Sequence, residues 1–376
     1  MNLNTNLYGL AVISSFLFVF SACLGSFFKL IVDRYKTNES FIHKPSHCNS
    51  CKKELYWWHN IPILGFFILN GKCFFCKSKV DINCLFSEIA CSLIGLITFL
   101  CIYFKTGSCF IAIVITIFML VLLLLAMFDL KHRIVPHEIT YTTIILIILY
   151  QYTTHKYPIS GSFANLGIAF LSMDFLYTIS TLIKKYSLEL SPISIPLTAW
   201  SIYFLIFPDL NIYFLLLILI LYLICNKFKV NRKLVLALWA ALLLMASLII
   251  YKLIAVESNL QTLVKYFSGI GIIYFVAEII MYFFILFKTK KKVLTDNNEK
   301  TTLGGGDITT FALISVFLGF YNAFLSLFIA SLLALISHLI LKTTSSLYKK
   351  QSQEFIPFVP FLSFACFIII ITLHGI

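Results

Sequence analysis

Charge is what this chain has least of. Asp, Glu, Lys and Arg together make up 12% of its 376 residues, while 60% are hydrophobic and the mean hydropathy is +0.95. A soluble domain of this length would expose far too much apolar surface, so the composition excludes one and implies an all-α polytopic membrane protein. No soluble stretch is long enough to form a nucleic-acid module. The formal net charge of +13 therefore reflects Lys and Arg gathered in a few loops, as the positive-inside rule requires. No basic residue precedes the first apolar run, Leu7–Phe28; the first lysine is Lys29. That pattern predicts a retained first span with its N-terminus outside, not a cleaved signal. Internal repeats and low-complexity tracts are also lacking.

What is present is a series of apolar segments. A spanning helix needs about 20 residues, and spans are expected near 7–28, 84–104, 109–128, 139–153, 162–183, 195–207, 211–225, 234–254, 263–287, 308–319, 323–341 and 356–374. The loops that fall inside under this topology carry the basic residues, including Lys29–Lys79, Lys131 with Arg133, Lys184-Lys185 and Lys288–Lys292. The outer loops, Lys105–Ser108 and Thr154–Gly161, are poor in them. The expected organisation is a helical bundle with a small cytoplasmic loop domain. It comprises a first transmembrane helix (1–28), the loop domain (29–83), helices on both sides of Asp129 (84–153), additional membrane helices (154–262) and a C-terminal membrane region (263–376).

The loop domain holds Cys48-x-x-Cys51 and Cys73-x-x-Cys76. Two such pairs at this spacing match a tetrahedral four-cysteine zinc site, closed to substrate because all four positions are filled by protein. Free thiols are the competing account. His43, His47 and His59 lie nearby and read more simply as surface histidines.

Two aspartates stand at the margins of apolar segments. Asp129 opens Asp129-Leu130-Lys131-His132-Arg133-Ile134-Val135-Pro136, and Asp307 closes Gly304-Gly305-Gly306-Asp307. A carboxylate held at a membrane boundary is costly, which makes it a functional candidate. Two that meet form a possible proton-sharing acid/base pair. Read singly, Asp307 is a helix N-cap and Asp129 a polar helix end. The glycines allow positive φ or close approach, and no GKS/T sequence follows them to make a phosphate loop. Glu88, Asp174 and Glu278 are weaker candidates; Glu278 reads as a satisfied intramembrane polar residue.

These landmarks in this order resemble the type IV prepilin peptidases, polytopic aspartic proteases of the GxGD class. The resemblance runs from Gly25-Ser26-Phe27 with Arg34, through Ile61-Pro62-Ile63-Leu64 between the cysteine pairs and Asn70-Gly71-Lys72-Cys73, to Glu88. It continues at Asp129…Pro136, Gly304-x-Gly306-Asp307 and Ile356-Pro357-Phe358-Val359-Pro360-Phe361. Thr309 departs from the family's usual Lys, Val359 from a glycine and His137 from Asp or Asn. The aspartates stand 178 positions apart, much further than is usual in the family, and the excess maps to 154–262. The resemblance implies catalytic Asp129 and Asp307, with Gly304 and Gly306 admitting substrate. It implies prepilin or pseudopilin substrates cleaved at the inner face of the bacterial cytoplasmic membrane, with lipid around the helices. It also implies S-adenosylmethionine-dependent N-methylation associated with the cysteine loop, in the region of Gly71 and Lys72. A transporter or channel with a regulatory zinc loop, and an inactive scaffold, are the competing classes.

Overall fold

A computed structural model describes residues 3–36, 46–48, 50–154, 158–183, 200, 203, 260–288, 304–348 and 357–372. The spans expected at 195–254 lie, apart from Trp200 and Tyr203, outside the described residues, as does His43. Among the described residues the chain is all-α, its only strand-like pairings being two isolated bridges. Among the described residues six helices are long and apolar enough to cross a membrane, and the chain is a multi-pass membrane protein.

The chain divides into two compact units. The first comprises Met1–Ile134 with Ile329–Ile376. It contains α1 (Leu3–Arg34), the cysteine loop with the short α2 (Leu64–Ile68), α3 (Ile82–Thr106) and α4 (Cys109–His132). Local chemistry sets these boundaries. Asp81 caps α3 by accepting from the Asn83 N–H at 3.0 Å, and Gly107 ends it at φ +68°, the left-handed stop that glycine takes without strain. Ser108 caps α4 and Arg133 closes it at φ +55°. Helix α4 is apolar on every side, and its buried residues run from Ala112 to Asp129, as a helix enclosed by others must be. It packs against α3 and the C-terminal helix α10 (Val359–Thr372).

The second unit comprises Val135–Phe328. It holds α5 (His137–Thr153), α6 (Ile159–Ile183), α7 (Leu260–Lys288), α8 (Gly305–Leu318) and the start of α9 (Phe320–Tyr348). Helices α6 and α7 cross where Gly167 meets Gly271, the close backbone approach that small residues permit in membranes. Helix α8 is too short at 14 residues to span alone. Every residue from Thr309 to Leu318 is buried, so α8 is the core element of this unit. Gln151 of α5 donates to the Val316 carbonyl at 2.7 Å and Ser315 to that of Asn165 at 3.0 Å. These bonds satisfy polar groups that lipid cannot.

Candidate active site

The cysteine loop is built from two hairpins with one backbone pattern. The Cys48 N–H donates to the Lys53 carbonyl at 3.0 Å and the Lys52 N–H to that of Cys48 at 2.9 Å; Cys73 and Ser78 (2.8 Å), and Lys77 and Cys73 (3.0 Å), repeat these bonds. Bridges His47–Glu54 and Lys72–Lys79 close the two hairpins. Each turns through a left-handed lysine, Lys52 at φ +59° and Lys77 at +57°. The four Sγ atoms lie within 4.8 Å of one another. Cys48 Sγ and Cys76 Sγ are 3.8 Å apart, matching the edge of about 3.8 Å in a tetrahedron of ~2.3 Å Zn–S bonds. The Cys51 and Ser50 N–H groups stabilise the Cys48 thiolate and hold its pKa down to about 6. At Cys51 the Lys53 N–H acts in the same direction, yet desolvation and hydrogen bonds to Cys76, Cys48 and Cys73 push the thiol up to about 11. Hydrogen bonds from Ser78 also lower the pKa of Cys76, so the cluster favours thiolates at Cys48 and Cys76 and resists one at Cys51. A divalent cation at its centre removes that resistance, so the donor set fits zinc.

Asp129 sits at the C-terminal end of α4 and is buried. Its Oδ2 accepts from the Val359 N–H at 3.0 Å, and the Phe358 N–H also donates to the carboxylate. Asp129 therefore supplies the N-terminus of α10 with the acceptor that an N-cap side chain would give. The sequence reading of Asp129 as a plain polar helix end missed this non-local partner.

Asp307 is the third residue of α8, not its N-cap; Gly304 holds that position. Asp307 Oδ2 accepts from the Gly304 N–H at 3.1 Å. The glycine run does not use positive φ. Gly304 has φ −78°, and Gly305 and Gly306 are helical. Close approach is the reason for Gly306, where a Cβ would meet Val135 Cγ2 at 2.5 Å, whereas at Gly305 it would meet nothing within 4 Å. Val135 is a residue of the motif that Asp129 opens. Thr309, at the usual lysine position, is buried and bonds back to the Gly306 carbonyl at 3.1 Å. Asp129 belongs to the first unit and Asp307 to the second.

Glu88 occupies a more specific position than its sequence context indicated. Its Oε2 accepts from the Ile63 N–H at 2.7 Å, and Ser26 also hydrogen-bonds to the carboxylate. Gly25 makes this approach possible, since a Cβ there would meet the Ser87 carbonyl at 2.6 Å and Glu88 Cα at 2.8 Å. Ile63 has φ +63° and ψ −56°, with the Leu64 N–H donating to the Pro62 carbonyl at 2.6 Å. This is a strained γ-turn centred on a β-branched residue, at a cost of about 1–3 kcal/mol. His59 is buried, not a surface histidine. Desolvation lowers its pKa, and it lies outside the cysteine cluster. Gly71, at φ +64°, lines the same cavity as Glu88, His59 and Lys79, while Lys72, bridged to Lys79 through the backbone, is not part of the lining.

The remaining intramembrane acids are hydrogen-bonded. Tyr274 donates to Asp174 at 2.9 Å and Tyr141 to Glu278 at 3.3 Å. Glu278 is a satisfied polar residue, as its context suggested, and Asp174 is another.

Comparison with known proteins adds a second line to this geometry. Residues 19–104 match the Bacterial Peptidase A24 N-terminal domain, and residues 116–184 match the Type IV leader peptidase family. In carrying both segments in this order the chain is similar to the type IV leader peptidases. Similar proteins include prepilin leader peptidase/N-methyltransferases from three organisms. The Myxococcus xanthus protein is 30% identical over 125 residues, covering 33% of this chain and 36% of the relative. The Pseudomonas putida protein is 22% identical over 138 residues, 37% of this chain and 46% of the relative. The Vibrio cholerae protein is 25% identical over 166 residues, 41% and 64% respectively. The match thus spans less than two thirds of the length of each of these relatives. No solved structure matches the chain.

Proposed function

We propose that this chain is a membrane-embedded aspartic endopeptidase. It removes the leader from type IV prepilins or pseudopilins at the cytoplasmic face of the bacterial inner membrane. The observation that supports the reading is the seating of Gly306 against Val135, a residue of the sequence motif that Asp129 opens. The charge pattern supports the orientation, with basic loops inside and the N-terminus outside.

In this reading one aspartate is ionised and takes a proton from the water that attacks the scissile carbonyl. The other is protonated, polarises that carbonyl and then protonates the leaving amine. The Val359 and Phe358 amides fix Asp129, and the Gly304 amide fixes Asp307. No covalent intermediate is needed. The four thiolates would hold zinc as a structural ion that locks the two hairpins together.

The test is co-expression with a prepilin and mass analysis of its N-terminus. Asp129→Asn and Asp307→Asn should each lower cleavage by roughly 10²–10⁴-fold while the protein remains in the membrane. Near-normal processing by either single variant overturns the pair. N-methylation of the new terminus is a second reading. It is favoured by the cavity beside the cysteine hairpins, on whose wall stand Asp33, Asp81 and Glu88, and by the relatives' names, and the same mass measurement reports it separately.

A further inference from the structure

The first unit contains a cavity of about 230 Å³ between the cysteine hairpins, the end of α1 and the start of α3. Three carboxylates line it: Asp33, Asp81 and Glu88. Two of them have cations of their own. Lys29 pairs with Asp33 at 2.7 Å and with Asp81 at 3.2 Å, and Lys131 pairs with Asp33 at 2.5 Å. Glu88 is only 8% exposed, and no ion pair to it is present among the described residues. A carboxylate withdrawn from water without a counter-charge is unfavourable, yet the strained turn at Ile63 is maintained with its N–H directed to this carboxylate. Strain retained around one charged group marks a functional position.

On the wall of the same cavity stands His59, 8% exposed, whose Nε2 has no partner. Its Nδ1 accepts from the Tyr56 N–H at 3.2 Å, which makes Nε2 the protonated, donating nitrogen of the neutral ring. The cavity, whose wall also carries Lys79, therefore holds a carboxylate in no ion pair among the described residues and a donor lacking an acceptor. An α-amino acid group supplies both complements, its ammonium for Glu88 and its carboxylate for His59. A peptide N-terminus supplies only the first.

We propose that this cavity holds the amino-acid end of the methyl donor, its α-ammonium on Glu88 and its carboxylate on His59. The proposal rests on the methyl-transfer reading and names residues for it. Phe66 and Phe74 on the cavity wall offer aromatic faces to the rest of the ligand.

The test measures binding, not turnover, on the full zinc-loaded chain in lipid nanodiscs. Two probes are titrated calorimetrically. S-adenosylhomocysteine carries the α-amino acid group, and methylthioadenosine lacks it. Wild type should bind S-adenosylhomocysteine the more tightly. Glu88→Gln should lose roughly tenfold or more of that affinity while its affinity for methylthioadenosine changes less than about twofold. His59→Ala should act in the same direction, and His59→Gln, which restores an N–H donor, should recover part of the loss. Glu54→Gln removes an exposed carboxylate of the same loop outside the cavity and should bind as wild type. Zinc content and thermal midpoint identify any variant that has misfolded. If Glu88→Gln lowers both probes equally, or neither, the placement is overturned. If wild type binds neither probe, the methyl-transfer reading has failed first.

Discussion

At the scale of single residues, the two glycines before Asp307 have different duties. Gly305 and Gly306 are consecutive in the first turn of α8, yet only Gly306 lies against a neighbour. Gly305→Ala places a methyl in open space and favours helix, so the thermal midpoint should hold or rise slightly, by up to about 1 kcal/mol. Gly306→Ala drives a methyl into Val135 and should destabilise by about 1–3 kcal/mol with a marked loss of prepilin cleavage. Adding Val135→Ala removes Cγ2 but leaves Cβ at 2.8 Å, so the double variant should recover stability only in part. Thermal unfolding and initial cleavage rates on the four proteins check the pattern. Equal behaviour of the two glycine variants would remove close packing as the reason for the motif.

At the scale of elements, Asp129 serves two helices. It ends α4, and its carboxylate caps α10 through the Val359 and Phe358 amides. Cleavage and capping ask different things of the side chain. Asn retains an acceptor oxygen, so Asp129→Asn should lower cleavage by roughly 10²–10⁴-fold with little change in thermal midpoint. Asp129→Ala removes the acceptor and should cost about 1 kcal/mol more, read as a lower midpoint than that of the Asn variant. Equal midpoints would mean that the cap contributes nothing.

This element scale also separates what could be read from the chain and what could not. The hydrophobic runs placed the described helices, with ends off by as much as seven residues, because burial and backbone bonding are local along a helix. The expected span at 308–319 appears as Gly305–Leu318 and that at 323–341 as Phe320–Tyr348. The two CxxC pairs fixed the cysteine cluster, because a metal knuckle is closed by bonds between near neighbours. The Asp129 cap on α10, the seat of Gly306 on Val135 and the turn held by Glu88 were not legible, since each joins residues distant in sequence through backbone groups that carry no residue-specific signal. Burial misled once: His59 reads as a surface loop histidine but is enclosed by Trp58, Phe74 and Phe75.

At the scale of the whole molecule, orientation is the property that decides which compartment supplies substrate. The proposed orientation, with the N-terminus outside, would put Arg133 at the end of α4 in the cytoplasm and Thr154 at the end of α5 outside. Alkaline phosphatase fused after Thr154 should therefore be active, and the same reporter fused after Arg133 should be silent. The opposite result inverts the topology and places the aspartate motifs on the wrong side for a cytoplasmic leader.

Asp129 and the amide that fixes it are separated by 230 positions, and a ribosome makes them in that order. While residues beyond Asp129 are still being added, its carboxylate stands at the bilayer margin with neither of those donors. With Asp129 catalytic as proposed, proteolytic competence is deferred until translation has passed Val359, and a nascent chain stalled short of that point enters the bilayer without it.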